Sequence, residues 1–270
     1  MGAALGIVAG LMLGLTGAGG SLFAVPLLMF GLGWTVTQAV PVALIAVCAA
    51  AGVGTVAAWN ASFVRYRAAM VIAAAGALTA PLGLALGARL PQAALAAVFA
   101  AILVLVAARL LAQALRAPAE ARVVRATLAG DGAASAGPIC RTGGNGRLLW
   151  TPRCAAAIGG IGAVTGFLSG LLGVGGGFVI VPALRSATVL SMHSAIATSL
   201  MAIALTSAGT VIATLAMGHD LPWQVAGPFV LGSLAGMLLG RRIAPHVVGP
   251  QLQQGFSVMM LLAAALLVLR

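Results

Sequence analysis

Long unbroken apolar runs set the pattern of this chain. No Asp, Glu, Lys or Arg occurs between Met1 and Val64, and further uncharged stretches cover residues 68–88, 154–184, 221–240 and 243–269. Each is long enough for at least one membrane span of about 20 residues. The runs are continuous rather than alternating, which predicts helices rather than barrel strands. The expected class is therefore an all-α polytopic membrane protein, because backbone polar groups in lipid must be satisfied internally. The apolar segments fall at roughly 2–30, 36–59, 68–88 and 93–112, then at 155–184, 190–217, 223–240 and 252–269. Trp34, Trp59, Trp150 and Trp223 all sit near segment ends, as interfacial Trp should.

The segments repeat. Residues 14–26 read GLTGAGGSLFAVP and residues 170–182 read GLLGVGGGFVIVP. At an offset of 156, Gly14, Gly17, Gly19, Gly20 and Pro26 match Gly170, Gly173, Gly175, Gly176 and Pro182. Further on, Gly54-Thr55-Val56 matches Gly209-Thr210-Val211, and Gly83 and Gly87-Ala88-Arg89 match Gly236 and Gly240-Arg241-Arg242. The expected organisation is a first transmembrane repeat at 1–112, a polar linker at 113–154 and a second repeat at 155–270. A cleaved leader would not be duplicated inside the chain, so the first segment is expected to be a span rather than a signal peptide.

Charge refines the topology. The chain carries a formal net charge of +11, and all 14 basic residues are Arg, nearly all in gaps between apolar runs. That placement reads as a topology signal rather than a nucleic-acid footprint, so no nucleic-acid partner is expected. If each glycine-rich segment crosses fully, the arginines divide 10 to 4 between the two sides. If each dips in and returns, they divide 12 to 2, with only Arg89 and Arg270 opposite the linker. The positive-inside rule prefers re-entry. Each half then has three crossings and one hairpin, an odd number, which makes the halves an inverted repeat with a cytoplasmic linker. Of the three cysteines, Cys48 lies in a span and no CxxC spacing occurs, so neither a disulfide framework nor a zinc site is expected.

The glycines carry the candidate chemistry. Non-helical backbone at membrane depth is tolerated where it is buried in protein or lines a watery cavity. A break exposes N–H groups at the head of the next half-helix, and those groups with the helix dipole suit an anion. The bland alternative is close helix packing through small residues. Duplication of the whole motif favours a site, as paired broken helices in two related halves mark transporter sites. The candidate donors are the amides around Gly17, Gly19, Gly20 and Ser21, and around Gly173, Gly175, Gly176 and Gly177, with the Ser21 hydroxyl. His193, near a segment end, more often contacts headgroups or a neighbour than carries a proton. No Asp or Glu falls within an apolar segment, so a carboxylate relay is not expected, and no catalytic triad, metal cluster or cofactor motif is visible.

The doubled G-x-x-G-x-G-G-[GS]…P pattern, with Ala195-Ile196-Ala197-Thr198-Ser199-Leu200 after the second copy, resembles the TauE/SafE family of sulfite and organosulfonate exporters. The resemblance covers both halves. It implies a duplicated transmembrane domain in the inner membrane, a small sulfur-containing anion as partner, and Thr198 and Ser199 as further substrate-binding candidates. The first half departs from the pattern: Val42 and Ala43 stand where the second half has Thr198 and Ser199, so hydroxyl ligands are expected from one half only. An uncoupled, channel-like anion permease and a non-transporting membrane scaffold are the alternatives.

Overall fold

The computed structural model describes residues 2–16, 21–59, 65–127, 140, 150–188, 192–216, 223–243, 258 and 260–265. These residues form the helices α1 (Gly2–Thr16), α2 (Ser21–Leu32), α3 (Val36–Trp59), α4 (Tyr66–Arg89), α5 (Gln92–Thr127), α6 (Pro152–Leu172), α7 (Gly177–Ala187), α8 (Met192–Ala216) and α9 (Trp223–Ile243). Five of them, α3, α4, α6, α8 and α9, contain stretches long and apolar enough to cross a membrane. The chain is an all-α polytopic membrane protein. By contacts it divides into two units, Met1–Leu95 with Pro138–Ala244, and Ala96–Gly137 with Pro245–Arg270.

The first unit is built on glycine. A Cβ on Gly6 or Gly10 of α1 would overlap the backbone of Phe229 or Ser233 of α9, and one on Gly14 would press on Met237. In return, Gly232 and Gly236 of α9 face Ala3 and Ile7. The same interlock joins α6 to α4, where Gly162, Gly166 and Gly170 face Ile72, Gly76 and Ala80. Lipid supplies no hydrophobic drive between helices, so backbone-to-backbone approach through small residues has to supply packing energy. Thr79 varies the theme, donating its hydroxyl to the Ala163 carbonyl across the α4–α6 seam at 2.8 Å.

Residue order along these seams gives direction. Numbers ascend together between α1 and α9, between α4 and α6, and between α3 and α9, where Ala46 meets Ser233 and Gly54 meets Arg241. They also ascend between α4 and α8, where Arg65 meets Thr198 and Gly76 meets Thr206. Between α3 and α8 they run oppositely, Cys48 meeting Ala204 while Gly54 meets Leu200. Thus α1, α3 and α9 point one way and α4, α6 and α8 the other. The helix pairings also survive exchange of the halves: α1 on α9 corresponds to α6 on α4, and α3 on α9 to α8 on α4.

Both glycine-rich segments double back. Gly31, near the end of α2, lies against Leu5 near the start of α1. Thr188, which caps the end of α7, forms an isolated parallel bridge with Cys140, and Cys140 is disulfide-bonded to Cys154 in the first turn of α6. The end of α7 therefore stands beside the start of α6. That bond corrects the expectation that the chain has no disulfide framework. Fourteen residues separate the two, a spacing with no motif to announce it, and the pairing with Thr188 brings Cys140 within 5.1 Å of Cys154 measured between Cα atoms. Thr151 caps α6 by accepting from the Cys154 amide, and Pro152 occupies the first turn, where a missing N–H costs nothing.

The second unit contains most of α5, which buries Phe99, Leu103 and Ala107 along one four-residue stripe. The helix continues through Gln113–Thr127, a stretch that the sequence reading assigned to the polar linker. Ala and Arg make up most of it, and both are strong helix formers. Of residues 128–149, only Cys140 is among those described.

Candidate site at the helix breaks

The α6–α7 break is formed by three glycines in the left-handed region: Gly173 at φ 69°, Gly175 at φ 66° and Gly176 at φ 66°. An L side chain there costs roughly 1–2 kcal/mol, so glycine is what the backbone requires. Gly173 ends α6 by donating its N–H to the Ser169 carbonyl at 2.8 Å. Gly176 caps α7 without a side chain, and its carbonyl receives the Val179 amide at 3.1 Å. The first-turn amides of α7, beginning with Gly177, point back toward the break, as the first amides of any helix do.

The break lies at mid-depth in the first unit. Gly176 packs against Thr165, and Gly175 packs against Val47, Ile203 and Ser207. Val47 is close to the middle of α3, and the neighbouring Thr206 packs on Gly76, close to the middle of α4. From there α7, with 11 residues, rises only about 16 Å back to its starting face, and α2, with 12, about 18 Å. Both are half-helices against a hydrocarbon core of about 30 Å.

Hydroxyls gather on the second-half side. Thr165, Ser169, Thr206, Ser207 and Thr210 are all buried. Thr165, Thr206 and Thr210 donate to carbonyls of their own helices, and Ser169 and Thr210 approach each other at 3.5 Å. Ser207 differs. Its Oγ is fully buried with no hydrogen-bond partner among the described residues, and a Cβ on Gly175 would stand 2.9 Å from it. Val47 also lines a small cavity with Ala9, Leu13, Ala24 and Ala50, where Ser233 is the polar residue. A hydroxyl-lined break and an apolar cavity thus share Val47 as a wall. Among the described residues of this unit there is no acidic side chain to repel an anion.

The sequence-derived candidates separate on this frame. Gly173, Gly175, Gly176 and Gly177 form the break and the head of α7. Gly14 and Gly170, matched with them in the repeat, lie instead in the helix-packing seams. Gly17, Gly19 and Gly20 are outside the described residues, and Ser21 is the buried first residue of α2. Ser199 is buried and donates to the Ile196 carbonyl of its own helix at 2.8 Å. Thr198 is buried and accepts the Arg65 amide at 3.0 Å. Both lie about 12–13 Å along α8 from Ser207, so they are not brought to the break. Ser207 itself was missed. Its signal in the sequence is a Thr-Ser pair in mid-helix.

The profile of the family described as "Sulfite exporter TauE/SafE" matches residues 2–267. Among curated relatives, a "Probable membrane transporter protein" of Xylella fastidiosa strain 9a5c is 31% identical over 242 residues, covering 88% of this chain and 82% of the relative. A protein of the same description from strain Temecula1 is 31% identical over 248 residues, covering 90% and 83%. A "Probable membrane transporter protein" of Methanocaldococcus jannaschii is 33% identical over 110 residues, covering 36% of this chain and 41% of the relative. No solved structure gives a significant match.

Proposed function

Because the chain belongs to the TauE/SafE sulfite exporter family, and so to a family of membrane transporters rather than enzymes, we propose that it exports a small sulfur-containing anion, sulfite or an organosulfonate, seated at the glycine breaks. The observation that carries this reading is Ser207 Oγ, buried and unpartnered against Gly175 at the head of α7. A buried hydroxyl without a partner is costly and calls for a ligand or water. An anion there would receive the Ser207 hydroxyl, the α7 amides and the positive end of the helix dipole.

The two halves are read as an inverted repeat, supported by the opposed directions of α1 and α6 and by pairings that survive exchange of halves. Rocking of such halves about a central site gives alternating access. The 12-to-2 arginine division supports a cytoplasmic linker and an inner-membrane location. Purified protein in proteoliposomes, given a panel of sulfite, sulfonates, sulfate and chloride, tests the reading. Ser207→Ala should lower flux of the preferred anion at least tenfold at normal yield and monodispersity. Unchanged flux in Ser207→Ala, or no flux of any anion by the wild type, would remove it.

A further inference from the structure

The α6–α7 break has polar walls and no charged ones. Ser207 Oγ is buried against Gly175 with no hydrogen-bond partner among the described residues, and the other neighbours of Gly175 are Val47 and Ile203. The segments that meet there, residues 36–59, 154–184 and 194–216, contain no Asp, Glu, Lys or Arg, and neither do residues 68–88 of α4. Their titratable side chain is Cys48, whose thiol donates to the Ala204 carbonyl at 3.5 Å, since Cys154 is held in the disulfide. The arginines stand at helix ends. Arg67 opens α4 and Arg89 closes it, about 13 and 20 Å along the helix from Gly76, which packs on Thr206. Arg241 is tied to the Gly54 carbonyl, about 10 Å along α3 from Val47. Arg65, whose amide is held by Thr198, lies about 13 Å along α8 from Ser207.

Positive potential at the break therefore comes from backbone. A helix N-terminus is equivalent to about half an elementary charge, so α7 offers about one half, and even α2 and α7 together offer about one. The cost of taking an anion out of water grows with the square of its charge, whereas its attraction to a fixed dipole grows only in proportion. A second negative charge thus adds more cost than attraction, and no guanidinium or ammonium group is placed there to offset it. Resting on the export reading, we infer that the break selects monovalent oxyanions, hydrogensulfite or a monosulfonate, and rejects the sulfite and sulfate dianions. The charge state also settles how a proton travels. Sulfite takes up a proton on one side to become hydrogensulfite, and hydrogensulfite gives it up on the other. Each sulfur then carries its own proton across, through apolar segments that hold no carboxylate to relay one.

Anions of fixed and of variable charge test this on the wild-type protein. Full-length protein in chloride-free detergent buffer is titrated anaerobically with methanesulfonate, with sulfate and with sulfur(IV), at pH values on both sides of neutrality. Methanesulfonate, monovalent throughout, should bind with a constant Kd. Sulfate, divalent throughout, should bind more weakly by about tenfold or more. The apparent Kd for total sulfur(IV) should rise with pH as the hydrogensulfite fraction falls, approaching about tenfold per pH unit on the alkaline side. Ser207→Ala should weaken methanesulfonate and hydrogensulfite alike. Fluxes of the same three anions in proteoliposomes should keep the same order. Sulfate bound as tightly as methanesulfonate overturns the inference, and so does a sulfur(IV) Kd that ignores pH. Continued Ser207-dependent flux in either case leaves the export reading standing. Methanesulfonate affinity unchanged in well-folded Ser207→Ala also overturns the inference, because the selected anion then sits elsewhere. If nothing is transported while the monovalent preference persists in the titrations and depends on Ser207, the export reading fails and the charge selection stands. Binding of none of the three anions overturns both.

Discussion

Ser207 Oγ and Gly175 face each other so closely that a Cβ on the glycine would lie 2.9 Å from the hydroxyl. The same Cβ would lie 3.1 Å from Val47, and Gly175 holds φ at 66°. Gly175→Ala therefore meets two separable penalties, crowding and backbone strain. Ser207→Gly removes the tightest contact but not the strain of roughly 1–2 kcal/mol. A double-variant cycle on melting temperature in detergent should show partial rescue of Gly175→Ala by Ser207→Gly. Full additivity would mean that the two residues do not share the space described.

A hydrogen bond to a charged group contributes about 1.5–3 kcal/mol, equivalent to roughly 10–100-fold in affinity. Ser207→Ala should cost the transported anion that much. Ser199→Ala should cost little, because Ser199 already donates to Ile196 in its own helix. Initial-rate measurements of KM in proteoliposomes compare the two. A larger loss in Ser199→Ala than in Ser207→Ala would move the site toward the start of α8.

Much of this arrangement was legible in the chain itself. Uncharged runs predict the helices, and the glycine cluster of the second half marks where α6 gives way to α7. What faces a break was not legible. Ser207 reaches Gly175 only because α8, α3 and α7 converge at mid-depth, a relation no local spacing records. Thr198 and Ser199 are candidates through the family resemblance, and helix rise sets them two to three turns from Ser207. Gly14 and Gly170 match across the repeat like the break glycines, yet they continue the four-residue ladders of α1 and α6. Period separates the two uses: Gly6, Gly10 and Gly14 stay on one helical face, whereas Gly173, Gly175 and Gly176 cannot. Polarity conceals the helical extension to Thr127, although Ala and Arg, which favour helix, make up most of it.

The ladders make their own prediction. A Cβ on Gly166 would overlap the Gly76 backbone, whereas one on Gly160, exposed on the same helix, would meet nothing within 4 Å. Gly166→Ala should force α6 from α4 and lower the melting temperature by several degrees. Gly160→Ala should be neutral or stabilising by up to about 1 kcal/mol through helix propensity. Equal effects of the two substitutions in a thermal unfolding series would show that the α4–α6 seam does not depend on close approach.

The Cys140–Cys154 pair tests the topology from an independent direction. The arginine division argues for a linker in the cytoplasm, where thiols are ordinarily kept reduced. A bond closing 14 residues stabilises by about 3 kcal/mol when formed, and here it ties the start of α6 to the end of α7 through Thr188. If the arginines decide, alkylation of intact cells should trap Cys140 and Cys154 as thiols, and the pair should oxidise only after the membrane is isolated. Purified protein should then lose thermal stability on reduction, and Cys140→Ser should reproduce that loss without further response to reductant. Recovery of the pair already oxidised from rapidly alkylated cells would put the arginine-rich face on the oxidising side. The inverted arrangement proposed for the halves would survive that result, since it is argued from helix directions, but its orientation in the membrane would be reversed.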